Sequence, residues 1–419
     1  MNQPVRNLKA DELARILQVT RTLAAAADLQ EVLSLIVDCA MSLLDAERAS
    51  VFLYQPDSNE LVTRVAAGVE QIRIPADRGI AGATISQAQT ILVEDAYQDD
   101  RFNPDVDKQT GFVTRNILSL PLKGHRGDLV GVLQIINKTS GSFDGSDVTL
   151  AEAFGAQAGV ALQRAGLIQH YQQKIAMERA LSLAREIQQG LLPQTQPQVE
   201  GFDLAGRTRP ADRTGGDAFD FFQLPDGRWM LLVGDATGHG IGPALVMTET
   251  RAMLRAISLH GRADCCEVLA AVNDLLELDL NSARFVTCFY ALLDSRNDRL
   301  DYASAGHGPN LLYRAESGRI QTLPASGPPL AVVAGMKFDC PDPIRMQPGD
   351  ILLVPSDGFA EAKNPLGEMF TNQRIESLLK DHASDPACRI VETLFQQIDR
   401  FVGPGAQEDD LTVIALKKT

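Results

Sequence analysis

The sequence predicts an α+β protein in two folded parts: an antiparallel sheet flanked by helices, then a β-sandwich covered by helices on its faces. Three observations carry this expectation. The chain has 419 residues, more than the ~250–300 at which a single core usually stops growing. An apolar pattern of helical period runs from Asp147 to about Leu192, unbroken by proline until Pro193, and separates two strand-rich stretches. Apolar runs of strand character end in an aspartate and a small residue, as in Met230–Val233 before Asp235 and Ile351–Val354 before Asp357.

Residues 1–27 read as a helix with Leu13, Ile16, Leu17 and Leu23 on one face. Asp28 and Glu31 have capping-box spacing and open a second amphipathic helix through Leu44. Strands follow at Ala49–Tyr54, Glu60–Ala66, Ile91–Glu94, Ile117–Leu122 and Leu129–Asn137, with turn signals at Pro56–Asn59 and Gly124–Asp128. Residues 28–165 therefore form a sensor-like module, and 166–193 a helical linker. In the linker Met177, Ala180, Ala184, Ile187 and Leu191 follow 3–4–3–4 spacing. That stripe either packs on one of the two domains or dimerises as a signalling helix. The second reading is preferred, because both ends of the helix join folded domains. Residues 194–419 form the second domain. Its strands are expected at Asp203–Arg207, Phe219–Leu224, Trp229–Val233, Thr287–Asp294, Leu300–Ser304, Asn310–Arg314, Ile351–Pro355 and Leu411–Leu416. Its helices are expected near Gly242–His260, Asp264–Leu280, Arg374–His382 and Pro386–Phe401.

A net charge of −15 argues against nonspecific nucleic-acid binding and against an anionic membrane surface. No apolar run approaches the ~20 residues of a membrane span, and no signal-peptide pattern opens the chain. The cysteines at 39, 265, 266, 288, 340 and 388 show no CxxC spacing. Reduced thiols and a cytoplasmic location are expected, with Cys265 and Cys266 as packing residues.

Chemistry concentrates in acidic residues beside glycines. Asp217 and Asp220 lie in Gly215-Gly216-Asp217-Ala218-Phe219-Asp220, and Asp235 opens Asp235-Ala236-Thr237-Gly238-His239-Gly240. Ser356-Asp357-Gly358 and Asp409-Asp410 follow far downstream. Carboxylates aimed from several strand ends at one place repel one another unless cations sit between them. Mg²⁺ or Mn²⁺ suit such all-oxygen sets. The order of these motifs, with Ala305-Gly306-His307 between them and Asp409-Asp410-Leu411-Thr412-Val413 at the end, resembles the PPM-type phosphatases. More narrowly it resembles their bacterial SpoIIE/RsbU branch, from Ala184-Arg185-Glu186-Ile187-Gln188 and Leu191-Leu192-Pro193 to the C-terminus. The resemblance implies an αββα sandwich and metal ligands at Asp217, Asp235, Asp357 and Asp409. Asp235 would bridge two ions and the carbonyl of Ala236 would add a main-chain ligand. Asp410 would stand behind the ligands or serve a third ion, and Asp220 would orient its strand or a coordinated water. A water acidified by the two ions would attack phosphoserine or phosphothreonine in line, with no phosphoenzyme. His239 would protonate the leaving group or hold the glycine-rich turn, with Thr237 at the position where eukaryotic relatives carry a general-acid histidine. His307 would stabilise a turn. Arg213 is the nearest counterpart of those relatives' phosphate-gripping arginine. Gly215–Phe219 also resembles the diguanylate cyclase motif, but Ala218 stands where that motif needs an acid, and Asp357, Asp409 and Asp410 would lack a role.

Residues 28–165 resemble a GAF domain of the cyclic-nucleotide group. The resemblance rests on Ile72–Gly82, Asp95-Ala96-Tyr97, Arg101-Phe102-Asn103, Asp107–Leu118, and Asn137-Lys138 followed by Phe143 and Asp147. Val148 stands where that group's last acid would be. The resemblance implies pocket positions Ser50, Ala81, Asp107, Thr110 and Thr114, with cAMP, cGMP or another small ligand. Ala66 and Ala67 replace the stacking aromatic and base-reading acid of some relatives. The alternative use of Asp107 and Lys138 is a buried ion pair. The expected whole is a Mn²⁺- or Mg²⁺-dependent phosphoprotein phosphatase with a GAF sensor, dimeric through GAF and linker helices. Its substrate would be a phosphorylated Ser/Thr protein such as an anti-sigma-factor antagonist. The competing class is an inactive scaffold that acts by binding partners.

Overall fold

The computed structural model describes residues 10–26, 28–65, 73–260, 264–280, 284–405 and 407–419. The chain divides into two compact units that meet at Ala176 and Met177. In the first, helix α1 (Ala10–Ala25) precedes α2 (Leu29–Leu44). The Asp28 carboxylate accepts the amide of Glu31 at 2.8 Å, as its capping spacing predicts. The apolar stripe of α2, including Leu33, Ile36 and Leu44, is buried. Strands β1 (Ala46–Gln55), β2 (Glu60–Val65) and β3 (Arg73–Pro75) follow, then helix α3 (Gly79–Gln87) and β4 (Ile91–Val93). Helix α4 (Asp105–Thr110), β5 (Ile117–Lys123), β6 (Leu129–Lys138) and helix α5 (Gly145–Leu191) complete the unit and leave it. The antiparallel sheet runs β3-β2-β1-β6-β5-β4. One face carries α1, α2 and the start of α5 over a core that includes Leu33, Leu120, Phe154 and Leu162. The other face packs α3 against Phe52, Leu61 and Val132.

Two of the alternatives weighed above fall here. Lys138 pairs with Asp147 at 2.5 Å, whereas Asp107 bonds Thr114 and Tyr97, so Asp107 and Lys138 do not form the ion pair considered for them. The cause is register: Lys138 ends β6 directly beside the first turn of α5. The 47-residue helix α5 buries its apolar residues only as far as Ala165. Beyond that point Met177 and Ile187 are 66% and 58% exposed, so the stripe is not packed on either unit over these positions.

In the second unit β7 (Phe202–Arg209), β8 (Asp217–Gln223) and β9 (Trp229–Ala236) precede the helices α6 (Ile241–Leu259) and α7 (Cys265–Asp279). Then come β10 (Val286–Asp294), β11 (Arg299–Ala305), β12 (Asn310–Arg314), β13 (Arg319–Leu323), β14 (Ile344–Arg345) and β15 (Ile351–Pro355). Helices α8 (Asp357–Glu361), α9 (Asn372–Asp381) and α10 (Ala387–Val402) lead to the last strand, β16 (Leu411–Lys418). The strands form two antiparallel sheets, β14-β11-β10-β9-β8 and β13-β12-β15-β16-β7. Strand β9 is a continuous apolar run because both of its faces are covered. Leu231 and Val233 join Phe289, Leu352 and Ile414 between the sheets, while Met230 and Leu232 pack under α6 and α7. On the far side Leu353 and Val413 pack under α9 and α10 with Ile390 and Phe395. The result is the expected four-layer αββα sandwich.

Cys266 and Cys340 form a disulfide, contrary to the expectation of reduced thiols throughout. Their separation of 74 residues carried no local signal, and the Cα atoms come to 5.8 Å only when the segment before β14 folds back on α7. Cys39, Cys265, Cys288 and Cys388 are free. No helix among the described residues is long and apolar enough to cross a membrane.

Candidate functional site

The acidic residues gather at one rim of the sandwich because antiparallel pairing brings strand beginnings beside strand ends. Asp217 opens β8 and faces Asp235, near the end of β9, as its ladder partner. In the other sheet Pro355 of β15 pairs with Val413 of β16, and the amide of Ser356 donates to the carbonyl of Thr412 at 2.7 Å. That pairing sets Asp357, just after β15, beside Asp409 and Asp410, just before β16. Asp410 joins the two sheets. Its Oδ1 accepts the amide of Ala211 at 2.7 Å and its Oδ2 that of Asp217 at 3.3 Å.

Glycines permit the approach. A Cβ on Gly216 would lie 2.6 Å from the carbonyl oxygen of Ala236 and 3.3 Å from Oδ1 of Asp235. A Cβ on Gly358 would meet the carbonyl of Asp410 at 2.1 Å. Side chains at either position would push the two carboxylate-bearing edges apart.

The electrostatics match a place built for cations. Burial, then the neighbouring Asp235 and Asp410, push Asp217 well above the usual carboxylate range. Burial, then Asp357 and Asp409, push Asp235 up to about 7. Asp357 and Asp410 are raised by burial too, and Asp409 adds to both. Oδ2 of Asp217 is buried with no hydrogen-bond donor; Ser356 and Thr412 hydroxyls favour this carboxylate's charged form without satisfying that oxygen. A buried carboxylate oxygen without a donor, facing other carboxylates, fits a divalent cation. The set is a cradle rather than a closed cluster. Among the described residues, no three of these aspartates bring ligand oxygens within 4.8 Å of one another; the trio at that distance is Asp264, Cys266 and Cys340, where the sulfurs are already bonded to each other.

Asp220 has a structural duty. It is fully buried and receives Arg255 through two hydrogen bonds of 2.5 and 2.6 Å. Nε of Arg251 lies 2.8 Å away, off the hydrogen-bond axis. The clamp holds α6 to β8, the strand that Asp217 opens. Replacing Asp220 with alanine strands two arginines and is expected to cost roughly 3–5 kcal/mol. A denaturant melt would show this as a lower midpoint at unchanged slope, and an unshifted midpoint would contradict it.

His239 is 92% exposed and stands 3.4 Å from Asp212, so it holds no part of the glycine-rich turn. The hydroxyl of Thr237 is tied to the backbone of Phe285. His307 is buried with Nδ1 3.1 Å from the Thr287 hydroxyl, and burial lowers its pKa to about 4, so it is neutral. Its carbonyl accepts Ser304 and Asn310, consistent with a turn-stabilising role. Arg213 donates to the Glu178 carbonyl and the Ser182 hydroxyl on α5, which occupies it away from the cradle. The sequence reading missed Gln188, whose side chain donates to the Gly215 carbonyl at 2.7 Å and accepts the Gly215 amide at 3.2 Å. Its signal lay in the Ala184–Gln188 stretch, but only the fold shows that this glutamine reads the backbone two residues before Asp217.

In the first unit, Asp107 accepts the Thr114 amide and hydroxyl at 2.7 and 2.8 Å and the Tyr97 hydroxyl at 3.1 Å. Ser50 lies on the sheet face of Phe52, whose cluster includes Ala81. No hydrogen bond among the described residues joins these two pairs. Thr110 ends α4, and Ala66 and Ala67 lie outside the described residues. Tyr97 was not foreseen as a partner of Asp107. Asn137, with φ 60°, binds Glu47, Val113 and Arg115 and holds the end of β6.

Residues 28–162 match the GAF domain family, and residues 225–419 match the family of stage II sporulation protein E, SpoIIE. Protein IcfG of Synechocystis is 28% identical over 56% of this chain and 41% of its own length. Phosphoserine phosphatase RsbU of Bacillus subtilis is 26% identical over 62% of this chain and 76% of its own length. The probable 3′,5′-cyclic phosphodiesterase pde-5 of Caenorhabditis elegans is 35% identical over 32% of this chain and 20% of its own length. The chain thus spans about two fifths of the first relative and a fifth of the last. The solved SiaA-PP2C domain of Pseudomonas aeruginosa shares the fold of the second part, with TM-score 0.50 and 24% identity over 59% of this chain and 98% of that one.

Proposed function

We propose that this chain, which belongs to the GAF family over residues 28–162 and to the SpoIIE family over 225–419, is a divalent-metal-dependent phosphoprotein phosphatase. The observation that carries the reading is one rim where Asp217 and Asp235 of one sheet face Asp357 and Asp409 of the other, with a buried oxygen of Asp217 lacking any donor. Asp217, Asp235, Asp357 and Asp409, with the Ala236 carbonyl, would hold two Mn²⁺ or Mg²⁺ ions. Asp410, whose oxygens already hold the Ala211 and Asp217 amides, is best suited to fixing the turn. Bound ions would neutralise phosphoryl charge and acidify a water for attack on phosphorus.

The chain's own part is to hold four carboxylates in place. Gly216 lets Ala236 and Asp235 approach the turn, Gln188 holds the Gly215 peptide, and the Asp220 clamp fixes β8 under α6. The substrate class we assign is a phosphoserine or phosphothreonine protein, such as an anti-sigma-factor antagonist in partner switching. The exposed stripe of α5, from Leu167 through Met177 to Ile187, supports a homodimer. The GAF match and the cyclic phosphodiesterase relative support cAMP, cGMP or a similar ligand in the first unit. Four free thiols among the described residues favour the cytoplasm; the Cys266–Cys340 disulfide is the exception.

The test is release of inorganic phosphate from phosphoserine peptides and from p-nitrophenyl phosphate by the full chain. Turnover should need Mn²⁺ or Mg²⁺ and stop in EDTA. Equal turnover with and without chelator would reject a metal-dependent phosphatase.

A further inference from the structure

A cleft of about 560 Å³ opens directly from Asp409 and Gly358. It runs between α8, the segment 362–371 and the end of α10. One end is therefore a proposed metal ligand, and whatever occupies the cleft lies beside the reacting phosphoryl group.

Its charges do not balance. Arg209 is paired with Asp399 at 2.7 Å and also donates to Gln407. Lys363 is paired with Glu408 at 2.7 Å. The cleft's two cations are thus matched by its own acids. Glu361 is exposed and forms no salt bridge among the described residues; Lys363, bound to Glu408, also feels its charge. With Asp409 assigned to the ions, Glu361, Asp399 and Glu408 still outnumber Arg209 and Lys363 in the cleft, and Glu361 is the acid without a salt bridge. The cleft lining also has apolar surface: Ala362 and Val402 are partly exposed and Met369 is half exposed. An anionic head at the end of an apolar wall matches a side chain with a methylene stem and a cationic tip.

We propose that this cleft reads the residues beside the phosphorylated position of a polypeptide substrate and selects lysine or arginine there through Glu361. The inference rests on the phosphatase reading and adds a specificity to it. A basic flank would lay its stem on Val402 and Met369 and its charge on Glu361, while the phosphate points to the aspartate rim. An acidic flank would meet Glu361 as a like charge, so the cleft discriminates by repulsion as well as attraction.

The experiment uses the full chain with Mn²⁺ and three phosphoserine peptides that differ only in flanking residues: arginine, alanine or glutamate. The expected order of kcat/KM is arginine, alanine, glutamate, with roughly a tenfold span, the size of one partly desolvated charge contact. Glu361→Gln should shrink the arginine-to-glutamate ratio to about twofold and Glu361→Lys should invert it. Because the readout is a ratio within each variant, a change in overall rate does not blur it. Equal rates on all three peptides with wild-type chain would overturn the inference while leaving the phosphatase reading intact. A Glu361→Lys chain that keeps the wild-type order would overturn it as well. Wild-type chain that hydrolyses neither the peptides nor p-nitrophenyl phosphate would reject the phosphatase reading and the inference together.

Discussion

Asp235→Asn is expected to slow Mn²⁺-dependent hydrolysis of p-nitrophenyl phosphate severely and, in EDTA, to make the chain harder to unfold. The two effects share one cause. Asp235 lies between Asp217, its ladder partner, and the acids of the other sheet, and burial, Asp357 and Asp409 hold its carboxyl at about 7. Charge there is costly to the folded chain alone and useful only when cations are present. Asparagine keeps the shape, removes the charge, and offers an N–H to the Asp217 carboxylate, one oxygen of which has no donor. The metal-free chain at pH 8 should therefore gain roughly 1–3 kcal/mol, about the scale of one to two pKa units. The rate should fall on the order of 10³-fold, equivalent to about 4 kcal/mol of transition-state stabilisation. Steady-state rates and urea melts in EDTA check both halves. A variant that keeps its activity would remove the assigned role, and one that unfolds more easily without metal would remove the electrostatic argument.

The second large effect is the growth of metal stabilisation with pH. In the metal-free chain Asp217, Asp235, Asp357 and Asp410 are all raised above the ordinary carboxylate value. Between about pH 4 and 7 the folded chain therefore binds more protons than the unfolded one, and their contribution to stability is lost as pH rises through that window. His307 acts oppositely. Burial lowers its pKa to about 4, so above that value the folded chain binds fewer protons there, and its contribution grows until the unfolded imidazole has titrated near pH 6.5. The two trends overlap, so melting in EDTA alone would mix them. Subtracting melts in Mn²⁺ from melts in EDTA isolates the carboxylates, because His307 titrates in both. Protons and cations compete for the same oxygens, so the stabilisation by Mn²⁺ should increase from pH 5 to pH 8 by roughly 2–4 kcal/mol. A pH-independent increment would mean that the metal binds elsewhere.

Much of the fold was legible because its signals are local. The cap at Asp28, the two-sided apolar runs of β9 and β15, and the helices over α6, α7, α9 and α10 fall within a few residues of their expected places. Helix α3 went unread, and the strands missed were short or polar. β3 and β14 have three and two residues, and β13 exposes three of its five positions, so each takes its form from a neighbouring strand rather than from its own pattern. The site was partly legible for the same reason. Asp217, Asp235 and Asp357 each announce themselves by an apolar run and a glycine nearby. Asp220 could not be told from them by motif, because what separates it is the pair of arginines that α6 brings from more than thirty positions away. Gln188, Glu361 and the Cys266–Cys340 pair likewise depend on contacts between segments remote in the chain.

Taken by itself, the order of residues determined that this chain has two folded parts, that the second is a covered sandwich, and that carboxylates stand at its strand ends. Periodicity and turn chemistry act over neighbouring residues, so they survive in one dimension. Only the tertiary structure decided which carboxylates face one another, which is spent on arginines, and that a cleft with unmatched negative charge begins at Asp409. Those outcomes depend on distance and dielectric between groups brought together by sheet pairing, and Coulomb energy follows separation in space rather than in sequence.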